Sequence, residues 1–266
     1  LKAAKINVLN NSLGSNINTG IATALIHGVS IFNKEKYEMG VFEVDERSAP
    51  RIFPYMTFDY MIITNLSRDS IMRNAHPEYI ASLLEKYLPK KTKLILNADD
   101  LLSCRLAKDN ERVYFGIAEL PNDKKESRNL INDIRSCPIC HHELSYEYVR
   151  YSNIGKAYCP HCGFKAPEYD YMIADVDYDN KLVHFKGLKG ESDYRLLNDS
   201  IFNIYNELIL LTTLCELGYS LSEIAELLKN VDIVKSRFNK TIVNDIEVVM
   251  LLAKDRNAYA CSRVFE

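Results

Sequence analysis

Short apolar segments alternate with longer segments of helical periodicity over the first half of the chain. Mostly apolar runs predict five β-strands, at residues 5–10, 39–44, 60–64, 94–97 and 113–116. Apolar positions spaced three or four apart predict helices at residues 20–32, with Asn18 or Thr19 as N-cap, and at residues 77–88. Buried strands separated by crossover helices are typical of a doubly wound, mostly parallel sheet, so we expect an α/β fold.

The second half begins with a polar stretch and a cysteine-bearing module. Residues 121–135 are polar and charged, which predicts a linker, and the module follows at residues 137–167. Alternating apolar and polar residues at 171–178 and 182–186 then predict a β-hairpin, with Asp179 and Asn180 in its turn.

Two helices and one strand complete the pattern, at residues 201–217, 221–228 and 245–254. Gly218 follows the first of these helices, at the position where glycine often ends a helix by adopting a left-handed backbone conformation. Ser220 and Glu223 have the spacing of a capping box, which predicts the start of the next helix.

Four of the seven cysteines form two Cys-x-x-Cys pairs, Cys137 with Cys140 and Cys159 with Cys162. Two such turns, brought together by a short hairpin, provide four thiolates for tetrahedral zinc and leave no open position for water. The spacing therefore predicts a structural zinc ribbon rather than a hydrolytic site.

Other interpretations of the cysteine pattern remain open. The four cysteines could be ordinary buried thiols or form disulfides, and His141, His142 or His161 could replace one of the ligands. A reducing cytoplasm suits the remaining cysteines, which are scattered in apolar surroundings at Cys104, Cys215 and Cys261.

The overall charge does not indicate a nucleic-acid partner. With 33 basic and 36 acidic residues the formal net charge is −3, whereas phosphate backbones are bound by clustered Lys and Arg. A zinc-ribbon nucleic-acid binder remains an alternative, because Arg150, Lys156 and Lys165 give the module local positive charge, but we expect no nucleic acid. No apolar run approaches the roughly 20 residues of a membrane span, so we expect none.

Polar residues follow three of the predicted strands, at residues 42–46, 64–69 and 97–100. Parallel strands end at one edge of the sheet, where α/β proteins bind ligands, so these groups are expected to lie together. The carboxylates of residues 42–46 suit Mg²⁺, although a solvated acidic loop is the simpler interpretation of that segment. Without a Gly-x-x-x-x-Gly-Lys-Ser/Thr loop, this pattern alone indicates only a nucleotide or phosphate site.

A series of motifs occurs in order across nearly the whole chain. They are NSLGSN followed by GIATAL at 11–25, FEVDERSAPRIFPY at 42–55, TNLSRD at 64–69, LNADD at 96–100, VYFG at 113–116, GKAYCPHCGFKAP at 155–167 and FNIYNELI at 202–209. Each motif alone is weak, but together they resemble the MurT family of Mur ligases. The resemblance implies a Mur ligase central-domain fold with an inserted four-cysteine zinc ribbon and the start of a C-terminal domain.

The resemblance also implies a division into domains. Residues 1–135 and 169–232 correspond to two parts of the central domain, 136–168 to the inserted ribbon, and 233–266 to the start of the C-terminal domain. The family's phosphate-binding loop is expected upstream of Leu1, and most of its C-terminal domain is absent. This chain alone is therefore expected to be inactive.

The function implied by the resemblance belongs to peptidoglycan biosynthesis. The family provides the ATP-dependent ligase subunit that, with a GatD-type glutaminase, amidates the D-glutamate of the lipid II stem peptide to D-isoglutamine. ATP phosphorylates the substrate carboxylate, ammonia released from glutamine then attacks it, and Mg²⁺ neutralises the phosphates. ATP, Mg²⁺ and structural Zn²⁺ are the implied cofactors, and the implied location is the cytoplasm, at the inner membrane face where lipid II is presented.

Five residues carry over from the family's ATP and Mg²⁺ site by motif. Glu43 corresponds to the Mg²⁺-associated glutamate. Asn65 and Asp69 correspond to the loop beside the phosphates. Asn203 and Asn206 correspond to the helix start that faces the nucleotide. No catalytic residue is assigned.

Two segments depart from the family pattern, at residues 68–76 and 254–258. Met72 stands in place of an acidic residue, which removes a potential ligand or hydrogen-bond acceptor. These departures motivate an alternative function, in which the protein is a non-catalytic, degenerate Mur-ligase-like scaffold or regulator that retains the zinc ribbon.

Overall fold

The computed structural model describes residues 1, 3–13, 15–30, 34, 36–67, 76–126, 134–229, 231, 238–244 and 246–251. Its first elements are β1 (Val8–Asn10), α1 (Asn18–Gly28), β2 (Met39–Val41), the short helix α2 (Ala49–Ile52), β3 (Tyr60–Ile63), α3 (Pro77–Tyr87), β4 (Lys93–Asn97) and β5 (Arg112–Ile117). The later elements are β6 (Ser145–Tyr151), β7 (Ile154–Tyr158), β8 (Tyr171–Asp177), β9 (Leu182–Gly187), β10 (Gly190–Arg195), α4 (Ile201–Glu216), α5 (Leu221–Leu228), β11 (Phe238–Val243) and β12 (Ile246–Leu251).

A six-stranded sheet lies at the centre of the fold, in the order β10-β9-β8-β5-β4-β3. Strands β3, β4, β5 and β8 pair in parallel, and β9 and β10 continue the sheet in antiparallel pairing. The predicted α/β fold with a mostly parallel sheet is confirmed. The predicted hairpin forms β8 and β9, and β10 is an edge strand that the pattern did not predict.

Side chains of β4 divide the core into two halves. Ile95 packs in one cluster with Phe115 and with Leu208 of α4. Its neighbours Leu94 and Leu96 pack in the other cluster, because successive strand residues point to opposite faces. That second cluster contains Leu84 and Ile80 of α3, so helices cover both faces of the sheet, as in a doubly wound fold.

Helix α4 contributes a buried stripe that includes Ile204, Leu208 and Leu211, with the three- or four-residue spacing of one helical face. It is followed by Gly218, whose φ of 99° ends the helix. Ser220 and Glu223 then form the predicted capping box at the start of α5.

The first elements differ from the sequence prediction. Strands β1 and β2 pair in parallel with each other and form a separate two-stranded sheet, instead of joining the central sheet. Helix α1 has Ile17 as its N-cap, so neither Asn18 nor Thr19 has that role. The helix also ends at Gly28, short of the predicted residue 32, because Val29 has an extended backbone.

The strand predicted at residues 245–254 forms one half of a hairpin, in which β11 and β12 pair antiparallel. The partner strand β11 was not predicted. Several predicted features lie outside the described residues, namely Asp69, residues 70–75 with Met72, residues 127–133 of the linker, residues 254–258, and Cys261. Within the described part of the chain, no helix combines the length and apolar character needed to cross a membrane.

Candidate functional site

The predicted metal ligands lie on two turns that have the same backbone geometry. The N–H of His141 donates to the carbonyl of Cys137 at 3.0 Å, and the N–H of Gly163 donates to the carbonyl of Cys159 at 3.0 Å. His141 (φ 63°) and Gly163 (φ 75°) both have left-handed backbones, so each turn reverses directly after its second cysteine. The antiparallel pair β6 and β7 joins the two turns.

This folding brings the four predicted cysteines together. All four Sγ atoms lie within 4.8 Å of one another; Cys137 and Cys162 are 3.6 Å apart, and Cys140 and Cys159 are 3.5 Å apart. A tetrahedral zinc site with Zn–S bonds of about 2.3 Å requires sulfur atoms about 3.8 Å apart, which this donor set fits. The distances are far longer than the roughly 2.05 Å of a disulfide.

Two of the neighbouring histidines remain within reach of the same metal. One ligand atom from each of Cys140, His142 and His161 falls within 4.8 Å of the others. The rings of His142 and His161 are stacked, with centroids 3.5 Å apart. His141 belongs to neither group, whereas His142 and His161 stay open as alternative ligands.

Arg150 joins the ribbon to the central sheet. It lies on β6, and its side chain is only 3% exposed. Its guanidinium donates to Asp99 Oδ2 at 3.2 Å and to Asp123 Oδ2 at 2.7 Å. It also donates to the Tyr205 hydroxyl in α4 at 2.7 Å and to the carbonyl of Ala118 at 2.8 Å. One cation thus ties together the ribbon, the ends of β4 and β5, and the first turns of α4.

Asp99 is the centre of this buried network. Its carboxylate accepts hydrogen bonds from the Tyr205 hydroxyl at 2.6 Å, the Tyr169 hydroxyl at 2.5 Å and the Ile117 N–H at 3.0 Å. Burial, and then the charge of Asp99, raises the pKa of Tyr169 far above its usual value. The phenol therefore stays protonated and acts as a donor.

Asp100 and Asn97 connect the carboxyl ends of β3 and β4. Asp100 Oδ2 accepts from the N–H of Leu66 at 2.5 Å, and Asn97 Nδ2 donates to the Thr64 carbonyl at 2.8 Å. Burial raises the pKa of Asp100 to about 6. Residues 97–100 were expected to contribute to a nucleotide or phosphate site. Asn97, Asp99 and Asp100 are instead buried and bonded to protein groups.

Glu43 lies on an exposed loop that follows β2. The side chain of Asn11 fixes the base of this loop, since its amide oxygen accepts from the Glu43 N–H at 3.0 Å and its Nδ2 donates to the Glu43 carbonyl at 2.8 Å. Glu43 Oε1 accepts from Asn16 Nδ2 at 3.1 Å. An exposed carboxylate on an anchored loop fits the oxygen ligands that Mg²⁺ requires.

Three other predicted ATP residues are described, and they lie at the carboxyl edge of the sheet or at the start of α4. Asn65 follows β3 and accepts from the Ser67 hydroxyl at 3.2 Å. Asn203 donates to Asn198 at 2.9 Å, and Asn206 is exposed one turn further along α4. Tyr205, between these two asparagines, holds the start of α4 at the edge through Asp99. Among the described residues, no hydrogen bond or ion pair joins Glu43 to any of these asparagines.

A cavity of about 390 Å³ opens beside this edge, between the ribbon and α4. Arg150 and Tyr151 of the ribbon, Tyr178 and Ile201 contribute to its lining. Sequence reasoning missed the structural role of Arg150, which counted only as local positive charge. The segment YVRY could have indicated this role, because it places a charged residue between apolar neighbours within the predicted module.

No family model matches the chain. Two curated relatives are MurT subunits of lipid II isoglutaminyl synthase (glutamine-hydrolysing). The one from Staphylococcus aureus (strain COL) is 33% identical over 221 residues, which cover 82% of this chain and 48% of that protein. The one from Streptococcus pneumoniae (strain ATCC BAA-255 / R6) is 32% identical over 213 residues, which cover 78% and 46%. The chain belongs to the MurT family of Mur ligases. It spans about half the length of the curated relatives it matches.

Two solved structures of ligases resemble the fold of this chain. A pseudomurein peptide ligase type C from Methanothermus fervidus is 26% identical, with a TM-score of 0.71 over 95% of this chain and 49% of that chain. MurF from Acinetobacter baumannii is 14% identical, with a TM-score of 0.54 over 90% of this chain and 43% of that chain. The second likeness shows a shared fold alone.

Proposed function

We propose that the protein is the ATP-dependent ligase subunit that amidates the D-glutamate of the lipid II stem peptide to D-isoglutamine. Its ammonia would come from glutamine, hydrolysed by a GatD-type glutaminase partner. The observation that carries the proposal is the 33% identity to a MurT subunit over 82% of the chain. The location that suits this substrate is the cytoplasmic face of the membrane.

The proposed roles of the residues carry over from the family by motif. Glu43 would hold Mg²⁺, Asn65 and Asp69 would lie beside the phosphates, and Asn203 and Asn206 would contact the nucleotide. ATP would supply the phosphoryl group that activates the substrate carboxylate. The four cysteines would hold Zn²⁺ with a purely structural role, since the closed sulfur set leaves no position for water.

The proposed domains keep the boundaries expected from the family. Residues 136–168 would be the inserted ribbon, between two parts of a central domain at 1–135 and 169–232. Residues 233–266 would begin a C-terminal domain. The hairpin of β6 and β7, which lies in the chain between sheet strands β5 and β8, supports the position of the insertion.

The test is amidation of lipid II by the full-length protein with its glutaminase partner, with ammonium or glutamine as donor. We expect ATP-dependent amide formation with ammonium, and efficient use of glutamine only with the partner present. Glu43→Gln should reduce the rate at least about a hundredfold, if it removes a Mg²⁺ ligand. Glu119→Gln, at an exposed ion pair with Lys125, is the control. An intact zinc-loaded complex that forms no product would favour the degenerate scaffold.

The likeness to a pseudomurein peptide ligase supports a second candidate function. That protein shares 26% identity and a TM-score of 0.71 over nearly this whole chain. In this alternative the activated carboxylate would be joined to the amino group of an amino acid instead of ammonia. Supplying the same ATP-dependent assay with amino acids in place of ammonium separates the two functions, because each predicts a product of different mass.

A further inference from the structure

A second cavity, of about 310 Å³, lies between the turns of the ribbon and the connection from β4 to β5. We call it the basic cavity, because its described lining includes Arg105, Lys108, Arg112 and Lys165 but no Asp or Glu. The formal net charge of the whole chain is −3. Four cations around one small cavity therefore depart strongly from the average surface.

The cations of the basic cavity are not neutralised by neighbouring carboxylates. Arg105, Lys108 and Lys165 make no ion pair within the described structure. Two carboxylates of the adjoining segments are bonded to backbone groups. Asp170 accepts from the N–H of Tyr114 at 2.7 Å, and Glu85 accepts from the N–H of Ala107 at 2.6 Å. The positive charge thus remains available to a ligand.

Backbone carbonyls hold Arg112 in place without cancelling its charge. Its guanidinium donates to the carbonyl of Leu106 at 3.0 Å, to that of Asn110 at 3.2 Å and to that of Ala107. The Tyr114 hydroxyl donates to the Cys104 carbonyl at 3.2 Å, which fixes the opposite side of the same loop. The cavity is therefore preorganised on this side, which lowers the entropy cost of binding.

We propose that the basic cavity binds a phosphoryl anion, as a pyrophosphate or phosphate ester. Several cations converging from different segments match the several oxygens of a phosphoryl group, and guanidinium groups bind such oxygens with strong charge-assisted bonds. Phe164 and the exposed Ile139 of the ribbon turns supply an apolar rim for the remainder of the ligand.

The described lining of the basic cavity shares no residue with the proposed nucleotide site. Arg112 is the first residue of β5, whereas Asn65 follows the carboxyl end of β3. Cys104 and Arg105 of the lining follow β4, and the N–H of Cys104 donates to the Asp100 carbonyl at 3.0 Å. Anion binding here therefore does not depend on the ligase proposal, and either can fail without the other.

The test is calorimetric titration of the zinc-loaded full-length protein with inorganic pyrophosphate, with the nucleotide site saturated by Mg²⁺ and a non-hydrolysable ATP analogue. The double variant Arg105→Ala with Lys165→Ala should weaken pyrophosphate binding at least about tenfold, since two charge-assisted contacts are lost. Lys186→Ala is the control, because Lys186 of β9 pairs with Glu191 of β10, away from this cavity. Circular dichroism of each variant checks that it is folded.

A flotation assay identifies the source of the phosphoryl group. A lipid headgroup is indicated if the protein binds phosphatidylglycerol vesicles but not phosphatidylcholine vesicles, and if pyrophosphate competes with that binding. Pyrophosphate binding without vesicle binding would indicate a soluble phosphate ester. Pyrophosphate affinity that is equal in the wild type and the double variant would overturn the proposal. Variant-sensitive binding of a single-stranded oligonucleotide without pyrophosphate binding would also overturn it.

Discussion

Arg150 connects three parts of the molecule through a single buried guanidinium. It bonds Asp99 beyond β4, Asp123 after β5 and Tyr205 in α4. Both carboxylate side chains are at most 4% exposed. Charges so far from water are tolerated only when each has a partner, so the network depends on this cation.

Replacing Arg150 with Met should lower the free energy of unfolding by about 3–5 kcal/mol, because two carboxylates lose their buried cation. Urea unfolding followed by circular dichroism measures the difference. Lys125→Met is the control, since the exposed pair of Lys125 with Glu119 should contribute less than about 1 kcal/mol. Equal losses in the two variants would show that Arg150 has no special structural role.

Glu207 is a buried acid on the core-facing side of α4, only 2% exposed. Its Oε2 accepts from the N–H of Leu197 at 3.0 Å, whereas Oε1 has no hydrogen-bond partner among the described residues. Burial raises the pKa of Glu207 to about 7. The folded protein therefore binds this proton more tightly than the unfolded chain does, so stability falls as the pH rises from about 4.5 through 7.

Glu207→Gln should remove this part of the pH dependence. As the pH rises from 5.5 to 8, the free energy of unfolding of the variant should increase by about 1–3 kcal/mol relative to that of the wild type. Urea unfolding across that range gives the two curves, with Glu226→Gln at an exposed position of α5 as control. If the free energies of unfolding of the wild type and Glu207→Gln differ by the same amount at every pH, the pKa of Glu207 is not raised by folding.

The ribbon hairpin of β6 and β7 is a small element whose shape depends on its two turns. It contributes Leu144 and Ala157, with the buried Cys137 and Cys159, to the core cluster that contains α3. A module of this size has too little apolar core to fold without a metal or another cross-link. Metal binding and folding of the hairpin are therefore expected to be coupled.

We expect one zinc ion per chain, measured by atomic emission, and its loss in Cys159→Ser. Hydrogen exchange of β6 and β7 amides should accelerate after metal loss, while β4 and β5 remain protected. Cys104→Ser is the control, because Cys104 lies outside the four-sulfur cluster. Retention of zinc in His161→Ala would exclude that histidine as a ligand. Unchanged protection of the zinc-free hairpin would contradict the coupling.

At the scale of the whole molecule, the ribbon and the proposed nucleotide site share one buried network. Arg150 of the ribbon contacts Tyr205, which lies between Asn203 and Asn206 at the start of α4. Tyr205 in turn contacts Asp99 beyond β4. A change in the ribbon can therefore reach the asparagines that we propose to contact the nucleotide.

Loss of the ribbon metal should weaken ATP binding by about tenfold, in the range of ordinary coupling between sites. The measurement is titration of a non-hydrolysable ATP analogue with Mg²⁺ into the full-length protein, with Cys159→Ser compared to the wild type. Tyr205→Phe keeps the four cysteines but removes the hydroxyl contacts, so it should weaken binding in the same direction. Identical affinity in all three proteins would show that the ribbon and the nucleotide site are independent.

Local patterns in the sequence determined most of the elements and the two cysteine turns. Local patterns predicted every strand of the central sheet except β10. The stripe of α4, the capping box at Ser220 and the two cysteine pairs likewise depend on residues close together in the chain. Spacing of this kind specifies backbone geometry and ligand position directly, because the interacting atoms belong to the same turn or helix face. The fold class and the four-cysteine cluster were therefore predictable.

Only the tertiary structure decided which polar groups remain free for ligands. Asp99 and Asp100 belong to a polar segment that was expected to contribute to a nucleotide or phosphate site. Instead, Asp99 is bonded inside the protein to Arg150, 51 residues away, and to Tyr205, 106 residues away. The pairing of β1 with β2 and the grouping of four cations in the basic cavity also come from distant segments. Such contacts depend on how the elements pack, and the local pattern of polar and apolar residues does not specify that packing.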